Sequence, residues 1–227
     1  MKRRMKAVFK LIVICGHGAG DPGACSNGYE EAQLVRQPGN RIKELGGDEV
    51  YLYDTSKNCY KQTQQGAGIY ELQKFAGVPI VELHMDAFNT QARGGHIIIQ
   101  ASANMTAQQG ALRDSIVKLF PGRSTTCKKR SDLLNCNVAQ RLGLVYCLAE
   151  NGFIDNSTDR EIFLANIEQQ ARYYLAAFGI EEQKPAEPVE PQADVWILHE
   201  LGDGYVKLES SIYPGQYLLA AGANAQQ

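Results

Sequence analysis

His17 follows the apolar run "LIVIC", His84 closes "VPIVELH", and Glu150 closes "LVYCLAE". Each of these groups can bind a metal or carry a proton, and each stands where a strand-like run gives out. In an open α/β sheet such ends converge on one crevice. Two histidines and a carboxylate, with a second glutamate left over as base, make up the donor set of a catalytic zinc site, in which three protein ligands leave a position for water. There Zn²⁺ polarises a carbonyl and lowers the pKa of water to roughly 7, and a base passes the proton on to the leaving amine. The spacing alone implies metal-assisted amide hydrolysis. It leaves the ligating carboxylate open, because Glu30 and Glu31 both follow the turn-rich stretch "GHGAGDPGACSNGYEE". Gly16 and Gly18 flank His17 and allow a turn sharp enough to bring its imidazole back over the sheet.

The elements that must position these groups show in the hydrophobic pattern. Extended apolar runs recur at "KLIVIC", "EVYLYD", "VPIVEL", "GGHIIIQ" and "LGLVYCLA", and helical patterns separate most of them. This rhythm predicts an α/β fold: a twisted mixed, mostly parallel sheet flanked by helices on both faces, with a short β-rich C-terminal appendage. Ala32, Val35, Ile42 and Leu45 have helical spacing, although Pro38-Gly39 should kink or break that helix. Leu112, Ile116 and Leu119 mark another helix. A last long one starts where Thr158 and Glu161 have capping-box spacing and runs through Ile162, Ala165, Tyr174 and Phe178.

Composition excludes several classes. A formal charge of -2 and short basic runs ("MKRRMK", "CKKRSD") give no footprint for nucleic acid. Lys128, Lys129 and Arg130 read as solvated charge; the other reading is contact with carboxylates of a substrate peptide. No run approaches the ~18 apolar residues of a membrane span, so no membrane anchor is expected. The start has a basic segment but too short an apolar core for a signal peptide and reads as a first strand, which places synthesis in the cytoplasm. The 6 cysteines form no CxxC pair, and Cys15 and Cys147 fall in apolar runs as buried free thiols. His96 reads as a sheet residue. Residues 1–180 then form the catalytic domain. Residues 181–192, with Pro185, Pro188 and Pro191 among glutamates, form a semi-rigid linker. Residues 193–227 are too few to fold alone.

"GHGAGDPGACSNGYEE", "ELHMDA" and "CLAENGFIDNSTD" resemble, in this order, the three signature stretches of the zinc-dependent N-acetylmuramoyl-L-alanine amidases of phage and clostridial cell-wall lysins. The resemblance covers about residues 7 to 180. It implies one Zn²⁺ per chain, with His17 and His84 as ligands. By the same resemblance Glu31 matches the carboxylate ligand, since the family's pattern NG-x-x-E counted from Asn27-Gly28 lands there, and Glu150 matches the catalytic glutamate. The implied substrate is peptidoglycan, cut between N-acetylmuramic acid and the L-alanine of the stem peptide, outside the cytoplasm, after holin-dependent or unconventional release. Asp86 stands where such amidases commonly have asparagine, and Asn151 replaces a residue that is often small or apolar, with little expected effect. The tail, "DVWILHELGDGYVKLESSIYPGQYLLAAGA", resembles one ricin-type β-trefoil repeat, with Asp194-Val195-Trp196 in place of the usual Gln-x-Trp. That likeness implies binding of wall carbohydrate, or self-association through the tail. Two other readings stay open: a zinc aminopeptidase or carboxypeptidase on a related sheet, and a non-catalytic wall-binding module.

Overall fold

The computed structural model describes residues 9–183, together with the backbone of Trp196–Gly202, Tyr205–Ser210 and Tyr217–Ala221. It divides into two units, Met1–Gln183 and Lys184–Gln227. The proline-rich stretch expected as a linker lies outside the described residues.

The first unit is built on a six-stranded sheet. Its strands are β1 (Leu11–Cys15), β4 (Val50–Leu52), β5 (Ile80–Asp86), β6 (His96–Gln100), β7 (Cys127–Arg130) and β8 (Tyr146–Phe153), in the order β4-β1-β5-β8-β6-β7. All neighbours run parallel except β6, which is antiparallel to β8. Between β1 and β4, a hairpin of β2 (Cys25–Ser26) and β3 (Tyr29–Glu30) leads into the helix α1 (Glu31–Gly46). Further helices are α2 (Cys59–Gln64), α3 (Ala107–Leu119), α4 (Leu134–Arg141), α5 (Ser157–Ala165) and α6 (Ile167–Ala177).

Successive strand residues point to opposite faces, and both faces are covered. Leu11, Val13, Val81, Leu83, Ile97 and Ile99 pack against α1, α3, α5 and α6 through Val35, Ile42, Leu112, Ile116, Phe163 and Tyr174. Ile12, Ile14, Ile80 and Tyr146 face the other way, toward Cys59, a 3₁₀ helix at Gly68–Phe75, and α4. Strands buried on two faces read as continuous apolar runs, which is why β1, β5, β6 and β8 are visible in the sequence. The edge strand β7 reads as a charged loop because Lys128 is half-buried and Lys129 and Arg130 are exposed.

Two helices differ from expectation. α1 runs unbroken through Pro38-Gly39, both buried. A Cβ on Gly39 would lie 2.4 Å from Cys15 Sγ, so glycine here lets the helix close onto β1. The Cys15 thiol donates to the Val35 carbonyl (3.6 Å) within the same stretch of helix. The long C-terminal helix is in fact two, α5 and α6, meeting at Asn166 (φ -128°, ψ 31°). Its cap is Asn156, whose side chain accepts from the backbone N–H of Thr158 and Asp159, and not Thr158 itself.

In the second unit, β9 (Trp196–Gly202), β10 (Tyr205–Ser210) and β11 (Tyr217–Ala221) pair antiparallel in the order β11-β10-β9.

Candidate metal centre

His17 leaves the carboxyl end of β1 with φ 58°, a left-handed conformation uncommon outside glycine. The turn is pinned from α1: the Arg36 guanidinium donates to the Gly16 carbonyl at 3.0 Å and to the His17 carbonyl at 3.1 Å. Of the two glycines expected to allow the sharp turn, Gly18 has positive φ (96°), whereas Gly16 serves close approach. A Cβ there would stand 2.4 Å from the His84 ring, so its missing side chain makes room for the second imidazole. Glu31 arrives from the hairpin, where Asn27 (φ 48°) and Gly28 (φ 80°) form the tight turn that an Asn-Gly pair favours. That turn sets β3, and Glu31 is the first residue of α1.

The Glu31 carboxylate lies between the two imidazoles. One oxygen is 3.1 Å from His17 Nε2 and the other 2.8 Å from His84 Nδ1. It also accepts from the backbone N–H of Ala24 (3.1 Å) and Met85 (3.0 Å) and is 3% exposed. Ligand atoms of His17, Glu31 and His84 all lie within 4.8 Å of one another. Glu30 points away and accepts from Gln33 on the exposed side of the helix.

Each imidazole is held from behind. His17 Nδ1 is 3.1 Å from Asp21 Oδ2, and Asp21 accepts from the Asn58 side chain (3.0 Å) and the Gly23 N–H (3.0 Å). His84 Nε2 is 3.3 Å from Glu82 Oε1; the buried Glu82 accepts from Asn135 (2.9 Å) and from the Tyr146 hydroxyl. Burial opposes charge on Glu31, but the hydrogen bonds and charges of His17 and His84 outweigh it and hold its carboxyl well below the ordinary range. In His84, burial is likewise outweighed by Glu31 and Glu82, and the imidazole is held well above its ordinary value.

Glu150 is the register partner of His84 across β5 and β8, so the two side chains share a face of the sheet. Its Oε2 is buried and has no hydrogen-bond partner among the described residues. Burial first, then the carboxylates of Asp86 and Glu31, push its pKa up to about 8, against the opposing pull of His84. On the other face Asn151 is fully buried. It donates to the His84 and Ala149 carbonyls (3.3 Å each) and accepts from the Tyr174 hydroxyl (2.9 Å), fastening β5 to β8 at the site. That role exceeds the small effect expected for it. Asp86, in the place of the usual asparagine, meets the Arg123 guanidinium.

The structure brings His17, Glu31 and His84 together and sets Glu150 beside His84; sequence reasoning did not single out Asp21, Arg36 or Glu82. Glu82 carried a readable signal: a carboxylate inside the apolar run "VPIVEL" must be satisfied when buried. Below the imidazoles a cavity of about 240 Å³ is lined by His17, Glu82, His84, Tyr60, Leu134 and Leu148.

Fold and site together define a class: α/β domains that carry a His-Glu-His donor set at the carboxyl ends of a mostly parallel sheet. Within that class the chain belongs to the N-acetylmuramoyl-L-alanine amidase family, which matches residues 11–182. It is 31% identical over 183 residues to "Probable autolysin PH" of Staphylococcus aureus, an alignment covering 74% of this chain and 38% of that protein. It is 27% identical over 159 residues to the N-acetylmuramoyl-L-alanine amidase CwlM of Bacillus licheniformis, covering 67% of this chain and 59% of that one. The chain thus spans 38% and 59% of the length of these two curated relatives. In fold it matches the catalytic domain of the CD27L endolysin targeting Clostridia difficile, with a TM-score of 0.61 at 17% identity, covering 78% of this chain and 99% of that one.

Proposed function

We propose that the domain hydrolyses the amide between N-acetylmuramic acid and the L-alanine of the peptidoglycan stem peptide, with one zinc ion held by His17, Glu31 and His84. The observation that carries this reading is the Glu31 carboxylate set between two imidazoles, 3.1 Å and 2.8 Å away, with Glu150 on the same face one strand over. The donor set fits zinc: nitrogen and carboxylate oxygen are its ordinary ligands, and each histidine has its second nitrogen held by a carboxylate, as zinc-binding histidines usually do. Family membership and the likeness to the amidase CwlM support the choice of bond, and the likeness to an autolysin supports action on the wall.

When bound, zinc supplies Lewis-acid polarisation of the scissile carbonyl and makes water a stronger acid. The chain's own residues do the rest. Asp21 and Glu82 fix the orientation of the two rings, and Arg36 and Asn151 fix the backbone that carries them. Glu150 accepts the proton of the attacking water at its unpartnered Oε2 and returns it to the departing L-alanine nitrogen. Its raised proton affinity suits a group that must both take and release a proton. The place of action that goes with this chemistry is the cell wall, with the β-rich tail as a contact to wall carbohydrate.

Mass spectrometry of digested peptidoglycan, with and without a chelator, tests the reading. The expected products are a free L-alanine amino terminus and a lactyl carboxylate on muramic acid, both lost on chelation and restored by zinc. New ends within the stem peptide would indicate a peptidase, and no new ends at all a non-catalytic module; either result rejects the proposal.

A further inference from the structure

Beyond Glu150, on the side away from the histidines, the face of the sheet continues onto β6 and β7. Glu150 pairs with His96, and two residues along β6, Ile98 pairs with Lys128. Alternate residues and register partners share a face, so the Lys128 side chain rises on the same side as Glu150, two strand spacings across the sheet and two residues along it, about 12 Å in all. Lys129 points to the opposite side.

Two adjoining cavities of about 310 and 290 Å³ open here, and both are lined by Arg123, Lys128 and Phe153. Arg123 is fixed: it pairs with Asp86 and lies over the Phe153 ring at 4.7 Å. Arg93, in the second cavity, is paired with the buried Asp159 at 3.2 Å. Lys128 is half-buried and has neither a hydrogen bond nor an ion pair among the described residues. The neighbouring cations are neutralised within the protein, and this ammonium is left over at the wall of a cleft. An ammonium with no partner at the wall of a cleft is free to pair with an incoming anion. The positive field is felt nearby: burial, then Arg123, Lys128 and Arg130, push the His96 imidazole down to about 3, so His96 stays neutral and offers the anion no competing charge. At the mouth of the first cavity Phe88 is 78% exposed, an apolar wall beside the ammonium.

We propose that this cleft is a carboxylate subsite in which Lys128 binds the free α-carboxylate of the stem-peptide residue that follows L-alanine. The proposal rests on the amidase reading and deepens it by naming the substrate class, stems with a free carboxylate over stems amidated at that position. The dimensions agree. A carboxylate one residue beyond L-alanine lies about 7 Å from the scissile nitrogen on an extended peptide, within reach of a lysine side chain rooted about 12 Å from Glu150.

The experiment compares two muropeptides that differ only in D-isoglutamate against D-isoglutamine at the second stem position. Zinc-loaded wild type is expected to favour the free acid about tenfold in kcat/KM, mostly through KM. Lys128→Ala brings that ratio close to one, Lys128→Arg retains most of it, and Lys129→Ala keeps it. Binding of the corresponding free stem peptides, measured by calorimetry, is expected to show the same ratio and the same collapse, whether or not hydrolysis occurs. A ratio near one in wild type, or one that Lys128→Ala leaves intact, overturns the subsite while cleavage of either muropeptide upholds the amidase reading. Failure of wild type to cleave either one rejects the amidase reading, and the calorimetric ratio then decides the subsite alone. An intact ratio with weaker binding of polyglycerol phosphate by Lys128→Ala assigns the cleft to a wall phosphate and also overturns it.

Discussion

Glu30 and Glu31 are adjacent, yet the last residue of β3 turns its carboxylate to Gln33 while the first of α1 buries its own between two histidines. Metal content should follow that difference. Glu31→Ala and His84→Ala are expected to purify with little zinc, whereas Glu30→Ala keeps a full equivalent by atomic absorption. Glu150→Gln should keep its zinc as well, yet lose on the order of 10²- to 10⁴-fold in kcat as a missing acid–base group does; a mutant with wild-type turnover would remove Glu150 from the mechanism. His17, His84 and Glu150 were legible because each stands where a periodic apolar run stops, whereas the choice of Glu31 over Glu30 came from the resemblance alone. The role of Asn151 was not legible, since its partners, the His84 carbonyl and the Tyr174 hydroxyl, lie 67 and 23 positions away in sequence. Its replacement by alanine leaves that hydroxyl buried and unpaired, at a cost of about 1–3 kcal/mol. Urea denaturation of Asn151→Ala checks this, with a lower midpoint and an unchanged slope expected.

At the scale of elements, the strands that matter most for the site were the easiest to read, because burial on both faces forces unbroken Val, Ile and Leu. Edge strand β7 and the short helix α2 have no such pattern, and tertiary pairing alone defines them. Helix α1 shows how context overrides local preference. Pro38 removes one backbone donor, yet the helix continues because its apolar side is buried on β1 and Gly39 lets it come close. Gly39→Ala should therefore destabilise by overpacking, about 1–3 kcal/mol, despite the better helix propensity of alanine. Cys15→Ala removes the atom that the new methyl would strike, so the double variant Cys15→Ala/Gly39→Ala should be more stable than the two single costs added together. Strict additivity in that cycle would mean that the contact does not govern the site.

For the molecule as a whole, the sequence displayed an α/β sheet and its carboxyl edge but not which neighbours flank which strand, since pairing order leaves no local trace. The cysteines report on the packed result. Cys15, Cys59, Cys136 and Cys147 are buried, Cys127 is intermediate and Cys25 is exposed, all as free thiols. Burial first, then the Glu82 carboxylate, push the Cys136 thiol up to about 12. Since the thiolate is the reactive form, its fraction at pH 8 is then on the order of 10⁻⁴ even before access is considered. At that pH, Ellman's reagent should label Cys25 promptly and Cys127 slowly, with the four buried thiols appearing only in denaturant. The same shift has a stability consequence. A folded pKa above the unfolded value of about 8.5 means that the stabilisation from keeping Cys136 neutral is complete below that pH and is lost as pH rises through about 12. Melting temperatures recorded from pH 8 to 11 should fall for wild type and fall less steeply for Cys136→Ala; parallel curves would place that thiol outside the packed interior.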